Sequence, residues 1–237
     1  MVNRRLLLTS LRDRLYESLK EDIITNKFKP GEELQIDKLA QEFGVSSTPV
    51  REALVRLAGA GLVVLMPNRG AQVASFGLQD VKNIWEVRRL LEPHAAKVAA
   101  ESCKLAEIDA LYEKVLKIIQ GPVDFATYIN SDLEIHKLMF KYLSNTLLRE
   151  ILDRVDQHSM RIRYLAESNA DGVNQEVVEQ VTGEHLSILD ALKEQDAERA
   201  AAATLQHLIN GEARTLKTLQ QVTDLQNNQL LKKGAIL

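Results

Sequence analysis

The stretch GVSSTPVREAL, Gly44 to Leu54, follows a short amphipathic segment, Ile36 to Phe43. A glycine at that place stops a helix, because it adopts a left-handed turn at little cost. Ser46 or Ser47 can cap the free N–H groups of the next helix, and Pro49 is tolerated in a first turn that needs no backbone donor. The pattern therefore predicts helix, tight turn, helix, the last ending near Gly61. Upstream, apolar spacing predicts a first helix from about Leu7 to Thr25, closed by the turn signal Pro30-Gly31. Downstream, in LVVLMPNRGAQVASF (Leu62 to Phe76), two short apolar runs flank Pro67-Asn68-Arg69-Gly70. That reads as a β-hairpin, the one strand pair the sequence predicts.

A helix pair followed by a hairpin makes a winged helix-turn-helix. Its second helix would enter the major groove of DNA N-terminus first. Ser46, Ser47 and Thr48 put small hydroxyls there, where the helix N-terminus also favours phosphate. Arg51, one turn in, can reach guanine or phosphate. Arg69 and Gly70 sit at the hairpin tip, where a wing touches backbone or minor groove. Ala53, Leu54 and Leu57 form the stripe that holds the helix to its body. The competing reading of the same spacing is a helical subdomain with a routine serine cap.

At 237 residues, 45% hydrophobic and 27% charged, the chain is long enough for two soluble domains. The net charge of -3 points to no partner by itself. Residues 1–70 carry 11 Lys and Arg against 9 Asp and Glu, a faintly basic head on an acidic body. Cys103 is the only cysteine, which excludes an intrachain disulfide and a cysteine zinc finger and suits the cytoplasm. The start MVNRRLLLTSLRDR mimics a secretion signal, but three leucines are too short an apolar run. No window approaches a membrane span, so no membrane partner is expected.

Beyond the hairpin, periodicity predicts helices over about Leu78–Glu101, Leu105–Ile119, Val123–Leu143, Leu147–Ser168, Val173–Glu194 and Ala197–Leu219. Pro93 should kink the first, and the tail from Gln220 frays or extends the last. The expected fold is mainly α: a winged helix-turn-helix domain over residues 1–76, then an all-helical bundle of six or seven helices over 77–237.

The stretch LAQEFGVSSTPVREALVRLAGAGLVVLMPNRGAQV, Leu39 to Val73, strongly resembles the DNA-binding domain of the GntR family of bacterial transcription regulators. LYESLKEDIITNKFKPGEEL resembles that family's first helix and turn. The resemblance implies a repressor-like homodimer on a palindromic double-stranded operator, with Thr48, Arg51 and the Arg69-Gly70 wing as contacts. One position departs: the family usually has Arg where this chain has Ser47. A serine cannot make a bidentate contact to guanine, worth about 1–3 kcal/mol of discrimination. The operator core therefore differs, or Arg51 and Arg56 carry more of the binding.

There are five histidines, His94, His136, His158, His185 and His207. In SDLEIHKLMF, Asp132 and His136 stand at i and i+4 and share a helical face. One Asp with three neutral imidazoles makes a set for a borderline divalent ion, Zn²⁺ or Ni²⁺ before others. A lone helical histidine is more often an ordinary surface or core residue. DVKNIWEVRRLLEPHAAKVAA, then Asp132-x-x-x-His136, Glu184-His185 and His207 resemble the FCD effector domain of the FadR subfamily, over about residues 78–218. That resemblance implies metal ligands at Asp132, His136, His185 and His207, and an all-helical domain that binds a small molecule. His94 and His158 have no counterpart in it and read as ordinary.

Arg88 matches an arginine that in similar proteins faces the effector pocket, where a guanidinium grips a carboxylate by two parallel bonds. The alternative is a surface ion pair with Glu92, at i+4. Arg89 reads as surface. The function expected is a regulator, a repressor by resemblance, controlled by a small carboxylate effector at the metal and Arg88. Alternatives are a regulator whose metal is structural or is itself sensed, and a metal-dependent hydrolase. Against the hydrolase stand the absence of a nucleophile pattern and of a Gly-rich phosphate loop.

Overall fold

The structure, a computed structural model, describes residues 11–67, 69–121, 125–168 and 174–234. The predicted start at Leu7, Asn68 of the hairpin turn, Pro122 and the break around residues 169–172 lie outside these. The described chain divides into two compact units, one of the residues up to Gln79 with Met160–Leu165, the other of Asp80–Ser159 and the residues from Ala166.

In the first unit, α1 (Leu11–Ile24), α2 (Ile36–Phe43) and α3 (Ser47–Gly59) surround one apolar core. Leu15, Leu19 and Ile23 of α1 meet Val50, Ala53, Leu54 and Leu57 of α3, all buried. Each such Leu or Ile contributes about 1.5–3 kcal/mol by leaving water. Gly44 closes α2 at φ 63°, and Val45 N–H donates to Ala40 C=O at 2.9 Å. Ser46 stands at the N-cap of α3 with extended φ and ψ, but its hydroxyl accepts no cap bond. Ser47 Oγ instead donates to Asp37 Oδ1 of α2 at 3.4 Å.

The hairpin is β2 (Val63–Met66) and β3 (Gly70–Val73), paired from Val63↔Val73 to Met66↔Gly70. A third strand that the sequence did not announce, β1 (Glu33–Leu34), lies antiparallel on the other edge of β3, giving the order β1-β3-β2. Two residues are too few to show alternation. Gly70 makes this possible. At φ 114° it is buried, and a Cβ there would stand 2.2 Å from Leu34 O.

The second unit holds nearly all of α4 (Leu78–Ser102), then α5 (Leu105–Gln120), α6 (Phe125–Lys141), α7 (Thr146–Ser168) apart from Met160–Leu165, α8 (Gln175–Lys193) and α9 (Ala197–Gly234). Six helices in these positions match the reading from periodicity. α4 runs through Pro93. Ala95, Ala96, Ala99 and Ala100 give α4 a narrow face, packed in one core with Val115, Ile135, Met139, Ile188, Leu189 and Ala200. Gly211 of α9 makes room for a ring: a Cβ there would stand 2.7 Å from Cη2 of Trp85 of α4.

Two glycines with positive φ give a contrast. Gly44→Ala meets no atom within 4 Å and should cost about 1 kcal/mol of strain. Gly70→Ala adds a collision with Leu34 O and should cost at least about 2–3 kcal/mol. Chemical denaturation of the two variants checks the order.

Candidate metal centre and DNA-reading helix

The buried polar residues of the helical unit are concentrated at one place. Asp132 and His136 come from α6, His185 from α8 and His207 from α9. All four are buried, and one ligating atom from each lies within 4.8 Å of the others. His185 Nε2 is 3.0 Å from Asp132 Oδ1, His136 Nε2 is 3.8 Å from Asp132 Oδ2, and His207 Nε2 is 3.9 Å from Asp132 Oδ1. Donors around one divalent ion at about 2.0–2.2 Å stand about 3–4 Å apart, so this set is close to closing on an ion. His94 is exposed, His158 is half-buried, and neither is in the cluster.

Two of the imidazoles are held from behind. His136 Nδ1 is 2.6 Å from Glu92 Oε2, and His207 Nδ1 is 2.8 Å from Glu184 Oε2. Each carboxylate is gripped by an arginine. Arg88 Nε donates to Glu92 Oε1 at 2.6 Å, and Arg214 makes a two-bond fork to Glu184 at 2.8 Å on both arms. Burial pushes both carboxyls up, but their partners win. Arg88 and His136 hold Glu92 down at about 2, and Arg214, His207 and Asn210 hold Glu184 down at about 2. An ionised Glu184 accepts from His207 Nδ1 and leaves that ring's Nε2 lone pair turned toward Asp132, whereas Glu92 stands close to His136 Nδ1 without a hydrogen bond. His207 Nε2 is buried with no hydrogen-bond partner. Burial, against the pull of Glu184, drives the His207 imidazolium pKa to about 3, so the ring is neutral. A neutral imidazole with an unused lone pair beside a carboxylate is the chemistry a divalent ion needs.

Arg88 does form the i+4 pair with Glu92, but both are 2% exposed, so the pair is internal rather than on the surface. Arg88 also donates to Ser159 Oγ at 2.8 Å, approaches His136 Nε2 at 3.3 Å and lies over the Trp85 ring at 4.5 Å. Arg89, read as surface, is half-buried and paired with Glu212 of α9. Sequence reasoning missed Glu92 as a partner of His136, and missed Glu184 and Arg214. A weak signal existed, since His207, Asn210 and Arg214 recur at helical spacing on α9.

On the first unit, Ser46, Thr48, Arg51 and Arg69 are exposed and Ser47 is half-buried. Arg51 and Arg69 face a shared groove of about 420 Å³ with Glu33, Gln35 and Asp37. Arg56 is turned to α1, where it donates to Asp13 Oδ1 at 2.8 Å and lies 4.0 Å over the Tyr16 ring. Gly70 has no side chain to offer DNA; its role in this structure is the close approach of β1.

The family of bacterial regulatory proteins named GntR matches residues 11–73, and the FCD domain matches residues 83–210. The chain belongs to the GntR family of regulators that carry an FCD domain. It is 29% identical over 200 residues to the HTH-type transcriptional regulator YdhC of Bacillus subtilis, covering 82% of this chain and 86% of that one. It is 27% identical over 203 residues to the HTH-type transcriptional repressor RspR of Escherichia coli, covering 84% and 86%. The solved structure of Escherichia coli McbR/YncC superposes with a TM-score of 0.74 at 24% identity, over 91% of this chain and 100% of that one, a likeness of fold. The protein is a DNA-binding transcription regulator, and its families are regulators, not enzymes. Among the described residues no helix is long and apolar enough to cross a membrane.

A neutral buried His207 has a consequence for stability. Its folded pKa lies below its unfolded value near 6.5, so the unfolded chain binds the extra proton first. His207 should therefore cost metal-stripped protein up to about 1.4 kcal/mol per pH unit as pH falls below about 6.5, while Asp156, raised by burial to about 6, offsets part of that loss below pH 6. Glu92 and Glu184, depressed to about 2, add their loss as pH falls below about 4.5. Denaturation midpoints between pH 7.5 and 5 should fall less steeply in His207→Gln than in wild type.

Proposed function

We propose that this protein is a cytoplasmic repressor whose operator binding is controlled by a small carboxylate held at a divalent metal ion in the helical domain. The observation that carries the reading is the convergence of Asp132, His136, His185 and His207 inside that unit, with Glu184 behind His207 and Glu92 close behind His136. Zn²⁺ or Ni²⁺ suits one carboxylate and three imidazoles. Bound there, such an ion would offer a Lewis-acid position to a carboxylate oxygen. Charge bears on an anionic effector: with Arg88 against Glu92, Arg214 against Glu184 and a divalent ion against Asp132, one net positive charge is left while Asp156, whose carboxyl burial raises to about 6, is protonated, and none when it is ionised. Arg88 supports such an effector. His136 Nε2 cannot serve both an ion and the Arg88 NH2 group. With that lone pair engaged, the guanidinium has a donor free for a carboxylate.

For DNA, we assign contacts to Ser46, Ser47, Thr48, Arg51 and Arg69, and packing to Arg56 and Gly70. A homodimer on a palindromic operator, with domains of residues 1–76 and 77–237, follows from the symmetry that such heads require. The name of the similar Escherichia coli protein, a repressor, supports the sign of regulation. An effector then needs only to bind one arrangement of the heads better than another. A second reading, an ion that is purely structural or is itself sensed, is favoured by the depth of the site, since all four groups are at most 3% exposed.

Elemental mass spectrometry on untagged protein tests the centre. Wild type should carry about one ion per chain, and Asp132→Ala/His136→Ala should carry none. No ion in wild type, even after Zn²⁺ and Ni²⁺ are supplied, would sink the metal reading. Chelation separates the two uses of an ion: a stripped protein that stays folded but loses thermal shift with small carboxylates supports the effector platform, and unfolding supports the structural role. Arg51→Ala should weaken operator binding by about 1–3 kcal/mol in a titration at fixed salt.

A further inference from the structure

Arg214 lies on α9 four residues beyond the segment that the FCD family matches, which ends at residue 210. Its partner Glu184 faces four N–H donors. Oε1 receives Asn210 Nδ2 at 2.7 Å and one Arg214 arm at 2.8 Å. Oε2 receives the other arm at 2.8 Å and faces His207 Nδ1 at 2.8 Å. A carboxylate has about four lone-pair sites, and all are in use. A protonated carboxyl could hand its O–H only to His207 Nδ1, and the Arg214 fork, which donates to both oxygens, opposes that proton, so Glu184 is acceptor-only. His207 Nδ1 must then be the donor, and its Nε2 must carry the lone pair.

We infer that Arg214 and Glu184 are positioning residues for the metal centre: the fork fixes Glu184, and Glu184 fixes the tautomer and ring angle of His207. This rests on the reading of Asp132, His136, His185 and His207 as ligands. Arg214 and Glu184 side chains are 24% and 16% exposed, so a bidentate fork of this kind can also contribute to folding, and the test must separate the two roles. What the arrangement does is remove a choice. A free neutral imidazole exchanges its proton between two nitrogens and turns about χ2, and each alternative withdraws Nε2 from the ion. A carboxylate behind a ligating histidine raises its basicity and holds its angle. The fork is the reason for arginine rather than lysine, because a point charge leaves Glu184 free to rotate. His136 has a comparable brace in Arg88 and Glu92, but there the arginine also reaches Nε2 at 3.3 Å. Arg214 touches Glu184 without reaching the ligating face, so it acts on the ion only through Glu184 and His207.

The test is Zn²⁺ affinity of the metal-stripped full chain, read by competition with a chromophoric chelator, for wild type, Arg214→Ala, Arg214→Lys and Glu184→Gln. The expected result is a 10- to 100-fold weaker affinity in Arg214→Ala and Glu184→Gln, and a smaller loss in Arg214→Lys. Nitrogen NMR of the metal-free proteins supplies a readout that a merely structural role would not move. His207 should be one Nδ1–H tautomer in wild type and a mixture in Glu184→Gln, whose single amide oxygen cannot serve both Arg214 and His207. If wild type takes up no Zn²⁺, the metal reading and the brace fall together. If wild type binds and the variants, folded by circular dichroism, bind within twofold of it with His207 still one tautomer, the brace alone is overturned. Should Arg214→Ala not fold, Arg214→Lys and Glu184→Gln decide.

Discussion

The constraint that organises the helical unit is a carboxylate placed where water is absent. Asp132 is 3% exposed, on the inner face of α6, among three imidazoles and within a bundle whose other interior residues are mainly apolar. A carboxylate in such a place must be matched by charge or by donors. Matching it requires α8 and α9 to deliver His185 and His207 to one point, with α4 close enough to supply Glu92 behind His136. The glycine of α9 leaves room for the Trp85 ring of α4, over which the Arg88 guanidinium that grips Glu92 lies at 4.5 Å.

The head solves an unrelated problem. Its function demands that polar groups remain exposed, so its stability must come from the opposite faces of the same helices. α3 shows the division: Val50, Ala53, Leu54 and Leu57 are buried while Thr48 and Arg51 stay in solvent. Serine at position 47 changes the local electrostatics as well as the reach. Its hydroxyl lies against Asp37, whereas a long cation there would project past it.

What was legible in the sequence is what short-range geometry determines. Gly44 needs φ near 63°, and Asp132 and His136 share a face because 3.6 residues make a turn. Family resemblance then brought His185 and His207 to the same point. The rest depended on contacts that no spacing encodes. β1 is two residues long and owes its existence to β3. Whether the Arg88–Glu92 pair faces water or core is the same i+4 pattern either way, and only the position of α6 and α7 against α4 decides it. Ser46 has the residue type and backbone of a cap, yet its hydroxyl is not used, because capping is a preference of about 1 kcal/mol that local packing overrides. Arg214 stands 30 residues from Glu184, so the fork is visible only after α8 and α9 pair.

The two arginine-braced histidines differ in a way that bears on control. Arg214 engages a carboxylate and stops there. Arg88 engages a carboxylate, a serine of α7 and the ligating edge of His136 at once. Whatever takes up the His136 Nε2 lone pair therefore changes the company of Arg88, and whatever draws Arg88 away exposes that lone pair. Two occupants that each remove the same contact need break it only once, so the first to arrive lowers the cost for the second. Linkage makes that help mutual. Ser159 ties the exchange to α7, whereas nothing in the Arg214 fork reaches beyond α8 and α9. On the proposed reading, with an ion at Asp132 and the three histidines, the Arg214 brace would keep a ligand still and the Arg88 contact would register what has bound.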